Sequence, residues 1–309
     1  MNPSTAPVRL TLPKLLGAHY LVAAPAAWPR DPAAIAERIA AELPTIADAG
    51  GGPVAGRVRL KVRELNGGHL AAGVTQRLAN ASLAELRRIG DADRHLLVGA
   101  YHRPGWPPLH ALVARHVAGA FADRTGGMLL DPLTMLVHDH FAADTWPGRG
   151  QLRLMDWICV LDVVGDPEGA TLATIGLSRF GLPDLRLHHV PRLLAGPWAR
   201  LLGSLAQVLA DAHWSGRSRG ETLRLDPTTI SAADVARAES VPVSADAAAQ
   251  SAPVGFRLTG SDLDRQLWLD LVPPGSGPDD DFSETPTDPA AWSEWLESVV
   301  LAVFPPDNW

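Results

Sequence analysis

The sequence predicts an α+β protein: a mixed sheet with helices packed on one face, and a smaller acidic α+β part at the C-terminus. Two observations lead there. Residues 94–137 read as a β–α–β unit, an apolar run, a helix-period segment and a second apolar run separated by breakers. Residues Arg57-Val58-Arg59-Leu60-Lys61-Val62-Arg63 alternate basic and apolar side chains without interruption, the period of a half-buried strand with a basic outer face.

Taken in order, Val8 to Leu16 is a short apolar lead-in, and His19 to Ala24 is the first core strand. The run Leu15 to Ala24 follows Arg9 and Lys14 and faintly echoes a signal peptide, but His19 and Tyr20 interrupt it, and it reads as strand. Asp31-Pro32 opens a helix, with Asp as the N-cap and Pro in the first turn; Ile35, Ile39 and Leu43 mark its buried face and Pro44 ends it. Gly50-Gly51-Gly52-Pro53 is a loop. The basic strand follows, then a turn at Asn66-Gly67-Gly68, further strand from His69 to Leu78, and a short helix from Leu83 to Ile89.

The β–α–β unit begins with His95-Leu96-Leu97-Val98-Gly99-Ala100. The breakers Pro104-Gly105-Trp106-Pro107-Pro108 end that strand. From Leu109, apolar residues at 112, 113, 117, 120 and 121 mark one helix face, with Gly126-Gly127 as its stop. Met128 to Val137 is strand, bent at Asp131-Pro132. His19-Tyr20-Leu21-Val22-Ala23-Ala24 parallels His95 to Ala100, and each is followed by a proline-bearing loop with Trp28 or Trp106, then a helix. The parallel is either an internal duplication into ferredoxin-like units near 15–90 and 91–214, or a product of Ala/Leu-rich composition.

Trp157 to Val164 is a strand whose composition fits burial on both faces. Ala170 to Gly176 returns as strand, and Leu182 to Leu187 is a short extended piece. Pro197 opens a helix with Trp198, Leu201, Leu202, Leu205, Val208 and Leu209 on its face, ending near His213-Trp214. A boundary falls near Gly220, giving a core domain 1–220 and a C-terminal domain 221–309. In the latter, Ser231 caps a helix, residues 240–255 form a linker, Phe256 to Val272 is a hairpin, Pro273 to Pro286 is an acidic loop, and Asp288-Pro289 opens a final helix. That helix carries Trp292, Trp295, Leu296, Val299, Val300 and Val303 as one stripe. It docks either on the first domain or on a second copy in a homodimer.

Bulk properties narrow the function. Residues 221–309 hold 4 arginines against 16 acids, and residues 1–220 hold 23 basic and 18 acidic side chains. A surplus so thinly spread is no nucleic-acid footprint. The asymmetry reads first as two domains with different surfaces, and more sharply as the acidic end docking on an Arg-bearing face of the first part. The single cysteine, Cys159, excludes an intrachain disulfide and a thiolate cluster and suits a cytoplasmic location. No stretch approaches the roughly 20 apolar residues of a membrane span. Only Lys14 and Lys61 are lysines; the arginine bias, with 28 Gly and 27 Pro, is the mark of a GC-rich genome.

Among candidate sites, His138-Asp139-His140 comes first. On a continuing strand His138 and His140 share a face, where two imidazoles can hold a metal with Asp131 or Asp144 as an oxygen ligand. A polar strand end is the plainer reading. His116 lies on the apolar face of its helix as a core residue with one hydrogen bond. His188-His189 point to opposite faces and do not serve one site. Gly176-Leu177-Ser178-Arg179-Phe180-Gly181 lacks nucleophile-elbow spacing and reads as a turn between strands. Gly50-Gly51-Gly52 lacks the Lys-Ser or Lys-Thr of a phosphate loop, and Asp279-Asp280-Asp281 lacks calcium-loop spacing. The ten tryptophans are core by default.

The runs His95 to Val98, Trp106-Pro107-Pro108-Leu109, Ala122 to Asp131, and Thr174 to Leu185 with its Gly-Leu-x-x-Phe-Gly-Leu-Pro-Asp-Leu resemble a family of high-GC bacterial proteins grouped under a domain of unknown function. The resemblance implies a genuine domain over about His95–Leu185 and assigns no activity. The sequence reading is therefore a non-catalytic cytoplasmic binding or regulatory protein with a protein partner, requiring no cofactor. The alternative is a metal-dependent hydrolase using His138 and His140.

Overall fold

A computed structural model describes residues 8–25, 31–43, 56–66, 78, 80–138, 148, 151–163, 169–217, 222–225, 228–241, 253–263, 266–274, 276, 286 and 288–304. The fold is α+β. The chain forms two compact units, residues 13–151 and residues 1–12 with 152–309. The division falls at Gln151 rather than near Gly220, because the strands of the C-terminal hairpin share a sheet with strands that precede residue 191.

In the unit 13–151 the strands are β2 (Leu16–Ala24), β3 (Arg59–Asn66), β4 (Arg94–His102), β5 (Met128–Asp131) and β6 (Leu136–His138). They form one antiparallel sheet in the order β3-β4-β2-β5-β6. Helix α1 (Pro32–Ala41) connects β2 to β3, and α3 (Leu109–Thr125) connects β4 to β5. Each connection skips one strand, so two split β–α–β units interleave, as in ferredoxin-like sheets. The two similar segments are adjacent partners: His19 faces Gly99 and Ala24 faces Arg94 across β2 and β4. The second strand–helix unit closes at β5, and residues beyond 151 belong to the other unit.

Alternation along β2 divides the core. Tyr20 and Val22 face α3, while Leu21 and Ala23 join Met128, Leu130 and Val137 beneath the short helix α2 (Leu83–Gly90) through Ile89. A capping box of Ser82 and Glu85 starts α2, and the left-handed Gly126 (φ 62°) ends α3. Helix α3 is buried on most of its circumference, Leu112 and Val113 included.

Residues 128–138 form a hairpin instead of one bent strand. Asp131 Oδ1 accepts hydrogen bonds from the Leu133 and Thr134 N–H groups, and Met135 turns at φ 56°, so the chain reverses and β6 pairs with β5.

In the other unit, β7 (Cys159–Asp162), β8 (Ala170–Ile175), β9 (Asp184–Val190), β11 (Thr228–Ile230), β12 (Val254–Leu263) and β13 (Gln266–Val272) form a mixed sheet ordered β11-β12-β13-β9-β8-β7. The β13–β9 pair is parallel. A small ribbon joins β1 (Val8–Thr11) to β10 (Thr222–Leu225). Strand β7 is an edge strand, with Val160 and Leu161 only partly covered and Asp162 exposed, so the expectation of burial on both faces does not hold.

Helix α4 (Ala195–Ala212) packs on β7, β8 and β9 and beside α5 (Ala232–Glu239). Gly203 lets the Met155 thioether approach its backbone. The stretch Arg192–Ser215 is long and apolar enough to cross a membrane by length and composition, but 56% of its apolar window is buried inside the protein. The final helix α6 (Pro289–Val303) buries Trp292, Leu296, Val299, Val300 and Val303. The Trp198 indole donates to the Leu296 carbonyl at 3.3 Å, and the Trp198 and Trp295 rings lie 5.5 Å apart. The stripe therefore packs within its own chain.

Candidate functional site

Of the predicted site residues, the β5–β6 hairpin brings together His138 and Asp131. Both side chains project toward α3. Asp131 is fully buried, and its Oδ2 lies 3.8 Å from His138 Nε2, within ion-pair range but beyond a hydrogen bond. Two further neighbours carry no local sequence signal. Arg115, on α3, places Nη2 3.4 Å from His138 Nδ1, and the Tyr20 ring meets the imidazole edge-on at 6.1 Å. A guanidinium against the imidazole opposes a bound cation by simple repulsion. His140 and Asp144 lie outside the described residues. Among the described residues, no three His, Cys, Asp or Glu side chains converge as metal ligands.

His116 is half-buried, and burial lowers its pKa from the ordinary histidine value, with Asp123 and Glu42 opposing. Its Nδ1 has no hydrogen-bond partner among the described residues, so the one-bond expectation is not met at that atom.

A second polar cluster forms where β9 and β13 run parallel. Arg186 faces Asp270 across the pair and grips it with both arms of the fork, Nε to Oδ1 at 2.7 Å and Nη2 to Oδ2 at 3.2 Å. His188 Nε2 stands 3.3 Å from the same Oδ1, and the Arg186 guanidinium lies 5.3 Å from the centre of the Trp268 ring. His189 was expected to point away from His188. Its positive φ of 52° breaks strand alternation, and the two rings stand 6.0 Å apart. The available sequence signal was Arg-x-His on a strand, which puts both side chains on one face. The partner acid is 84 residues from Arg186.

Nearby, Asp184 is buried at the start of β9. It accepts from the Leu177 N–H at 3.0 Å and the Thr174 hydroxyl at 3.2 Å. Burial pushes its carboxyl up to about 6 despite these bonds. The intervening segment 177–180 is a short 3-10 turn between left-handed Gly176 (φ 119°) and Gly181 (φ 79°). The Gly-Leu-x-x-Phe-Gly-Leu-Pro-Asp-Leu run is thus a β8–β9 connection: its glycines supply the backbone geometry, and Leu177, Phe180 and Leu182 are buried.

The third feature is the sheet face carrying the odd-numbered residues of β3. Arg59, Lys61 and Arg63 stand exposed there, opposite Tyr101, Gly99 and Leu97 of β4. Tyr101 and His19 lie across the two glycines that pair with them: a Cβ on Gly17 would stand 2.9 Å from Tyr101 Cε1, and one on Gly99 2.9 Å from His19 Cδ2. His19 Nε2 is 2.8 Å from the Tyr101 hydroxyl, and Lys61 Nζ is 5.4 Å from the Tyr101 ring centre. The result is a basic, aromatic sheet surface. Glu64, the one acid of β3, falls on the opposite face, where Arg94 engages it at 2.6 Å.

The chain matches no protein-family model, no curated protein and no solved structure. The resemblance over His95–Leu185 accordingly rests on its quoted residues alone.

Proposed function

We propose that this chain is a non-catalytic binding protein that takes an acidic protein segment on the basic sheet face. The observation that carries the reading is the row Arg59, Lys61 and Arg63, exposed on one face of β3 beside the Tyr101–His19 platform. Among the described residues none of the three makes an ion pair. Three cations at alternate positions sit roughly 7 Å apart and repel one another, so an anionic partner relieves a repulsion already present. Charges on an edge strand also discourage self-association. That role alone does not call for two rings laid over two glycines beside them. The non-catalytic part of the reading is supported by the two histidine clusters, in which His138 and His188 lie against Asp131 and Asp270 with Arg115 and Arg186 beside them. A cytoplasmic setting and a regulatory role belong to the same proposal.

The alternative, a metal-dependent hydrolase using His138 and His140, draws on the 3.8 Å approach of His138 to Asp131. Arg115 weighs against it.

The test is anisotropy of fluorescein-labelled poly-L-glutamate against the wild type and the triple variant R59E/K61E/R63E. The expected result is binding that weakens with salt and falls at least about tenfold in the variant, with its circular dichroism unchanged. Equal affinity in the two proteins would reject the site.

A further inference from the structure

Sheet edges differ sharply in this protein. Among the described residues, the outermost strands β6, β7 and β11 run for three, four and three residues. Strand β3 runs for eight, paired with β4 at every position from Arg59 to Asn66 without a register shift, and it contains no proline. No described strand lies on its outer side, and the strand expected over His69–Leu78 falls, apart from Leu78, outside the described residues. Every second residue of such a strand directs its N–H and C=O away from the sheet. Short edges resist further pairing, and a long regular one is a template for it.

We propose that β3 captures its partner by strand addition: an extended peptide, acidic at alternate positions, becomes the next strand of the five-stranded sheet. The inference rests on the binding reading above and names the partner's chemistry and its mode of docking. On one face, the added strand sets its acidic side chains against Arg59, Lys61 and Arg63. On the other, its intervening side chains meet Leu60 and Val62, both only half-covered. Period-2 alternation on β3 therefore selects an acid–apolar–acid–apolar–acid pattern, since cross-strand neighbours pair on the same face. Main-chain bonds supply affinity and the alternating side chains supply register. A second copy of this chain is a poor occupant of that edge, because β3 against β3 brings like charges together. A nucleic acid has the charge but not the amides needed to continue the ladder.

The experiment uses the full chain and labelled seven-residue peptides. Glu-Val-Glu-Val-Glu-Val-Glu should bind at least about tenfold tighter than Glu-Glu-Glu-Glu-Val-Val-Val, which has the same composition without the alternation. N-methylation of the peptide at one alternate set of residues should abolish binding, and methylation of the other set should leave it intact, because an added strand uses one of its two edges. The variant R59E/K61E/R63E should lose the acidic peptide and gain Lys-Val-Lys-Val-Lys-Val-Lys. Equal binding of alternating and blocked peptides, or indifference to both methylations, overturns strand addition while leaving the charged face as a binding surface. Failure of every peptide and of poly-L-glutamate overturns both readings. Tighter binding of a seven-nucleotide thymidine oligomer than of the alternating peptide overturns the acidic-peptide partner.

Discussion

Tyr101 lies over Gly17, its direct cross-strand neighbour, so closely that a Cβ there would stand 2.9 Å from the ring. His19 does the same over Gly99. Each ring occupies the space a side chain would take. Gly17→Ala and Gly99→Ala together should lift both rings and cost on the order of 1–3 kcal/mol, as overpacking does. Thermal unfolding checks the cost, and poly-L-glutamate affinity should fall with it. An unchanged midpoint would show that the rings are not fixed by the glycines.

Asp184 gives the fold a pH dependence of known sign. Its carboxyl titrates near 6 in the folded chain and near the ordinary 3.8 in the unfolded one. Between these values the folded state holds a proton that the unfolded state has released. Its contribution to stability is greatest below about pH 4, declines as pH rises through about 6, and is flat above. The size is about 3 kcal/mol at 1.36 kcal/mol per unit. Urea unfolding at pH 4.5 and 7.5 should show a smaller difference in Asp184→Asn than in the wild type. Identical pH dependence in the two would contradict the assignment.

Leu112 is almost fully buried on α3, between the helix and the sheet. Leu112→Ala should cost about 2–5 kcal/mol. A thermal midpoint equal to the wild type would mean that the site is not packed as described.

Arg115 beside His138 predicts no stoichiometric metal at the hairpin. Elemental analysis of the purified protein should find zinc and manganese well below one equivalent, in the wild type and in His138→Ala alike. One equivalent of either metal in the wild type, lost in His138→Ala, would promote the hydrolase reading.

Deleting residues 284–309 should lower the unfolding midpoint without changing the oligomeric state, because α6 covers Trp198 of its own chain. A folded truncated protein of half the solution mass would instead identify the stripe as a dimer interface.

What the sequence disclosed and what it concealed follow from range. Helix starts at Asp31-Pro32, Ser231 and Asp288-Pro289 were legible because a cap and its amides lie within one turn. The basic face of β3 was legible because alternation is local. The turn at Asp131 was not, since a side chain that accepts two nearby amides reverses the chain without a glycine to announce it. Nor was the edge position of β7, which depends on which strands come to lie beside it. The Arg186–Asp270 pair and the Arg115–His138 contact join residues 84 and 23 positions apart, and only tertiary pairing of their elements creates them. The His138–Asp131 approach was anticipated from proximity along the chain, and His140 falls outside the described residues.

The ribbon between β1 and β10 has a consequence for synthesis. Val8 pairs with Leu225, so in synthesis β1 emerges more than 200 residues ahead of its mate. The other unit, 13–151, is an uninterrupted insertion that leaves the ribosome with all of its strands in hand. Domains fold as they emerge, and closing a long loop before its contacts exist is slow. Nascent chains stalled well after residue 151 should therefore carry a protease-resistant fragment of 13–151 while β1 is still cleavable. Resistance of both regions appearing only in full-length chains would refute that order. Vectorial synthesis thus makes the inserted unit the early folder and its host the late one.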